Sequence, residues 1–198
     1  MDEWLNIVIR QLILYSLPLL ISLTLVTMLE ARVMKTDTPH PFYAISWRGC
    51  WLPFLTALSF HRGVIIALPN PLMPGLKAAA TRMAAHALLC AIGFLLYAWS
   101  LASQSPTGLP PLHLWWAKVL MFFNLCMFFL HLLPLPLLLL GEAIAKHPKI
   151  PSLPAGNALT WISLTLLVAT PLLDLSLGSF IIYPVYEWLS SLAIQLKG

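Results

Sequence analysis

Three observations predict an all-helical integral membrane domain. Hydrophobic residues make up 60% of the 198 and charged residues only 9%, where soluble domains carry roughly 25% charge. The mean hydropathy of +0.86 leaves too little polar surface to coat a water-soluble globule. Long uncharged runs also alternate with short loops that hold most of the charges. The length suits a single membrane domain over residues 1–198 with roughly four to six hydrophobic segments, each of about 20 residues where it crosses.

The elements follow in order. Gln11 to Leu29 is uncharged between Arg10 and Glu30, just long enough to cross, with Pro18 as a kink. The acidic start and the lack of a small-residue cleavage site predict a retained first span rather than a signal peptide. Residues 30–50 read as a polar loop. Trp51 to Phe60 is apolar but short, which predicts a re-entrant or interfacial piece. Residues 63–74 (GVIIALPNPLMP) are too rich in proline for a helix and predict an extended run. Met83 to Ala102 and Val119 to Leu140 are further spans, joined by the uncharged turn 103–113. Pro134 and Pro136 must break the second of these inside the membrane. After the loop 141–157, one span from Leu159 to Leu173 and a half-buried helix at 185–196 are expected, with two short spans as the alternative.

Orientation follows from the basic residues. Arg32, Lys35, Arg48, Arg62, Lys77, Arg82, Lys146 and Lys149 share one side if residues 51–60 do not cross. The positive-inside rule then places loops 30–50, 61–82 and 141–157 in the cytoplasm and the 103–113 turn outside, as in a bacterial inner membrane. Most tryptophans fall near span ends, as an anchoring belt does.

Several functional classes find no support. No basic run suggests a nucleic-acid face. Cys50, Cys90 and Cys126 have no zinc spacing and read as apolar packing residues. There is no Walker loop, no GxGxxG and no GxSxG.

Two stretches resemble the site-2 protease family of intramembrane zinc metalloproteases. Ala67 to Pro71 (ALPNP), ahead of Arg82 and Met83, is similar to the family's "PVNP…RRDM" approach to a core helix. Asn124 to Pro136 (NLCMFFLHLLPLP) is similar to its "NLxLAxFNLLPxPPLDG" helix. The resemblance covers residues 10–145 and implies a site-2-protease-like core, leaving 150–198 as the C-terminal span and interfacial helix. Zinc hydrolysis there needs two His, a carboxylate ligand and a Glu as general base. The chain has no HExxH. Thr24, Leu25 and Met28 stand where its His, Glu and His belong, Leu139 at the DG aspartate, and His131 at the preceding Asn. The resemblance therefore implies a non-catalytic relative, not an enzyme. What remains of the family plan is a groove able to bind other transmembrane segments, at Ile65, Ile66, Pro69, Asn70, Pro71, His131, Pro134, Leu135 and Pro136.

His86 and His131 are intramembrane ionisable residues and so candidate haem or metal ligands. Counting helical rise from Arg82 and Gly141 sets them roughly 9 Å apart in depth, too far for one iron unless the proline break shortens the path. Asp174 reads as a helix-end or interfacial acid. The expected function is an accessory, scaffold or assembly subunit of a larger membrane complex, with no cofactor, whose partners are transmembrane proteins and the lipid bilayer. The alternatives are a haem- or quinone-associated redox subunit, a small transporter component and an active protease.

Overall fold

The computed structural model describes residues 2–37, 40, 45, 47–69, 73–103, 110–147 and 157–196; Asn70, Pro71, Ser105 and Ser152 lie outside them. Among the described residues there are helices and no strands: α1 (Asp2–Met34), α2 (Leu52–Ser59) after a π-helical turn at Trp47–Trp51, α3 (Leu76–Ala102), α4 (Leu112–Leu130), α5 (Leu139–Ala145), α6 (Asn157–Ala169), and α7 (Tyr183–Gln195) after a π-helical stretch at Asp174–Ile182. Four are long and apolar enough to cross a membrane: α1, α3, α4 and the continuous 174–195 helix.

α1 is longer than the uncharged run because both flanking charges are carried within the helix. Leu19, Ser22, Leu23, Val26, Thr27 and Glu30 recur at helical spacing on its buried face. Ile13, Leu17, Ile21, Leu25 and Leu29 lie exposed on the other, where a bilayer supplies the apolar surroundings. α3 and α4 form the main pair and pack side by side. They approach so closely that a Cβ on Gly93 would stand 2.5 Å from the Met121 backbone nitrogen, the small-residue contact expected between membrane helices. α1 lies against both.

α4 starts at Leu112 and ends at Leu130, earlier at both ends than the predicted span. Lys118 does not mark a boundary, because its ammonium lies 5.8–5.9 Å from the ring centres of Tyr97, Trp115 and Tyr186. The end comes four residues before Pro134, whose ring would clash with the Leu130 carbonyl in a continuing helix. In the C-terminal part the long helix is the second. α6 has 13 residues, a rise of about 20 Å, while 174–195 is continuous through Gly178 and Pro184. The wider π-helical turns before Pro184 shift the carbonyl that an α-helical proline would strike.

α2 and the run after it form the piece expected to be re-entrant. The Trp4 indole N–H donates to the Ser59 carbonyl at 3.3 Å, and Tyr15 packs on Phe54, so α2 runs along the N-terminal half of α1. Residues 64–69 are then extended and buried, with Ile66 and Ala67 at 0% exposure. The Leu68 N–H bonds Gly49 O at 2.8 Å. Met73 N–H reaches Glu30 at 3.3 Å. Trp4 and Glu30 are about 39 Å apart along α1, so Ser59 and Met73 are held near its opposite ends.

This geometry corrects the charge count. Lys77 donates to Val33 O, which keeps it beside Arg32 and Lys35, but Arg62 follows Ser59 and belongs near the α1 N-terminal end. Loop 61–82 therefore does not lie on one side. A single cysteine replacing His61, which is exposed, should react with an impermeant maleimide from the same side as one replacing Ser105. One replacing Ser152 should react only from the other side. Shared labelling of the His61 and Ser152 positions would restore the original assignment.

Candidate functional site

Polar side chains inside an apolar bundle are costly unless paired, and here several of them gather in two layers where α1, α3 and α4 meet the broken segment 131–138. Ser22, Thr27, Glu30, Arg82, His86, Asn124 and His131 are all buried. On α3, Arg82 and His86 are one turn apart and share a face. Arg82 Nη1 pairs with Glu30 Oε1 at 2.5 Å and reaches Met73 O at 3.0 Å. Its Nη2 donates to Leu137 O at 2.5 Å. Glu142 completes the lower layer by accepting from Gly75 N–H at 2.9 Å and Leu137 N–H at 3.0 Å.

The upper layer is a chain of side chains. Asn124 Oδ1 accepts from His86 Nδ1, 2.8 Å away, which fixes the imidazole tautomer with its proton on Nδ1. Its Nδ2 donates to Ser22 Oγ and to Leu120 O, both at 2.8 Å. Ser22 in turn donates to Pro18 O at 2.7 Å. The His86 and His131 rings lie 6.2 Å apart between centres, which overturns the 9 Å depth mismatch. His131 caps α4 directly after Leu130, and the chain beyond it folds back so that Leu140 N–H reaches His131 O at 3.0 Å, which is why counting rise from Gly141 misplaced it.

Most amides of the break are hydrogen-bonded within the chain. Leu138 N–H bonds Leu135 O, Leu140 N–H bonds His131 O, and Leu139 N–H donates to His131 Nδ1 at 3.3 Å. Thr160 donates to Pro136 O at 2.9 Å, and Leu137 adopts a positive φ of 67° that turns the chain into α5. Gly141 permits this fold-back, since a Cβ there would collide with the Leu135 carbonyl.

A third polar cluster fixes the start of the extended run. Asp174 accepts from Val64 N–H at 2.7 Å, Gly63 N–H at 3.4 Å and the Tyr183 hydroxyl at 2.8 Å. Arg62 donates to Val168 O at 3.0 Å and Ala169 O at 2.6 Å at the end of α6. Asp174 is thus a structural acceptor for backbone that lipid could not satisfy.

The predicted groove residues divide. Ile65, Ile66 and Pro69 are buried under the chain's own helices, and Pro136 and His131 are buried in the polar core. Pro134 is exposed and Leu135 half-buried, beside Leu132 at 40% exposure. Asn70 and Pro71 lie outside the described residues. Contact between a partner and Ile66 requires this cover to move, whereas Leu132 and Pro134 are already exposed. Glu30, Arg82, Asn124 and Glu142 were missed as site residues. Glu30 and Arg82 read as span boundaries in the sequence, and the signal that remained was their opposite sign.

The donors present fit neither cofactor implied above. Leu25 is 45% exposed on the outer face of α1, and the side chains at Thr24, Met28 and Leu139 include no zinc-ligating group. No cluster of three or more His, Cys, Asp or Glu able to hold a metal occurs among the described residues. A b-type haem needs an open slot between its axial ligands. His86 and His131 are 1% and 2% exposed, which leaves none as packed. Compared with known proteins, the chain matches no family, no curated protein and no solved structure.

Proposed function

We propose that the protein is a non-catalytic membrane subunit that binds other transmembrane segments along the outward edge of the broken helix, at Leu132 to Leu135. One observation carries this reading. The polar groups at the depth where a catalytic centre would sit are bonded to one another and to backbone, so they hold the break in shape rather than presenting a reactive group. His86 is engaged by Asn124, Arg82 by Glu30 and two carbonyls, and His131 by the Leu139 amide. A rigid break with apolar side chains on its outer edge suits packing against a second helix, where preorganisation lowers the entropy lost on association. Such a surface supports an accessory or assembly role in a larger complex of an inner membrane.

Site-specific photo-crosslinking in native membranes tests the surface. Probes at Leu132 and Leu135 should give adducts that mass spectrometry assigns to one recurring transmembrane segment of another protein. A probe at Leu95, 64% exposed on α3, should give lipid adducts, and one at Ile66 should crosslink within the chain. Lipid adducts alone at Leu132 and Leu135 defeat the subunit reading.

A further inference from the structure

A cleft of 380 Å³ opens between the N-terminal part of α1 and the start of α4, with Asn6, Arg10, Ile13, Leu14, Leu112 and Trp115 among the residues around it. We infer that it is a binding site for an anionic glycerophospholipid, with Arg10 on the phosphate. Charge and depth point to this occupant. Arg10 is exposed and makes no ion pair among the described residues, where the sole pair is Arg82 with Glu30. Glu3, about 10 Å of helical rise away, forms no ion pair with it. Lys118 stands behind Trp115, 5.9 Å from its ring centre, and adds positive potential on the α4 side. Asn6 is one turn before Arg10 on the same face, so its amide can donate to the anion that the guanidinium grips.

The depth separates a lipid from a soluble anion. The uncharged run of α1 begins immediately after Arg10, which puts the guanidinium where headgroups meet hydrocarbon, and Trp115 sits at the matching level of α4, as interfacial indoles do. Below the cation the α1 wall of the cleft is Ile13 and Leu14, apolar surface suited to the glycerol end and first methylenes of an acyl chain. This site lies near the α1 N-terminal end, away from the broken helix, and does not depend on the subunit reading.

The test is native mass spectrometry of delipidated protein in mild detergent, titrated with phosphatidylglycerol or phosphatidylcholine of the same acyl chains. The wild type should bind one phosphatidylglycerol about fivefold more tightly than phosphatidylcholine, the preference that one interfacial cation supplies. Arg10→Gln should bring the two lipids to equal affinity. Arg32→Gln, at the other end of α1, should leave the preference intact, and inorganic phosphate should not displace the lipid. An unchanged preference in Arg10→Gln, an equal loss in Arg32→Gln, or displacement by inorganic phosphate overturns the site.

Discussion

Replacing Arg82 with methionine should lower stability by about 3–5 kcal/mol, the loss typical when one partner of a buried ion pair is removed. Glu30 Oε2 already has no hydrogen-bond partner, and both residues are 2% exposed. Without the guanidinium, the carboxylate is left as a buried charge with only the Met73 amide beside it. Met73 O and Leu137 O lose their donor at the same time. The double variant Glu30→Leu, Arg82→Met removes the orphaned charge but not the orphaned carbonyls, so it should recover part of the loss and no more. Unfolding in mild detergent, followed by temperature or by added SDS, compares the three proteins. A double variant no more stable than the single one would show that the buried charge is not the cause.

The second large effect is expected at Gly93. A methyl group there meets the Met121 backbone nitrogen at 2.5 Å and its Cα at 2.8 Å, and backbone cannot rotate aside as a side chain does. Gly93→Ala should therefore cost about 1–3 kcal/mol, and Gly93→Leu more, by forcing α3 and α4 apart. Ala91→Leu, on the exposed face of the same helix, should stay within about 0.5 kcal/mol of wild type. A Gly93→Leu protein that unfolds together with wild type would mean that the two helices are not held this closely.

Three of the long helices were legible because an uncharged run of about 20 residues has few alternatives, whereas the fourth, 174–195, was hidden by Asp174, Gly178 and Pro184; the extended run at 64–69 was legible in its prolines and β-branched residues. Their ends were not, because a charge at a helix end has the same appearance whether it faces water or a partner inside the protein. Glu30 is enclosed by Arg82 from a helix far along the chain, a pairing that local pattern does not contain. Lys118 is retained within α4 by three aromatic rings, two of them from other helices. The depth of His131 was misjudged because helical rise was counted straight through a proline break that folds the chain back. Asn124 was noted as part of a motif, yet its role as the bridge between Ser22 and His86 depends on three helices meeting at one level.

The unequal helices also bear on the lipid around the protein. α1 has 33 residues, a rise of about 50 Å, and α6 has 13, about 20 Å, beside a hydrocarbon layer of roughly 30 Å. Leu159, Ile162 and Leu166 of α6 are exposed, so lipid has to meet this short wall directly. The uncharged run 11–29 of α1 rises about 28 Å and matches that layer, so hydrophobic mismatch falls on the α6 side, where the bilayer is pinched. Each ångström of such deformation costs a fraction of a kcal/mol. Short or disordered acyl chains will collect beside α6, and a neighbouring protein with a similarly thin edge would relieve the strain by settling there.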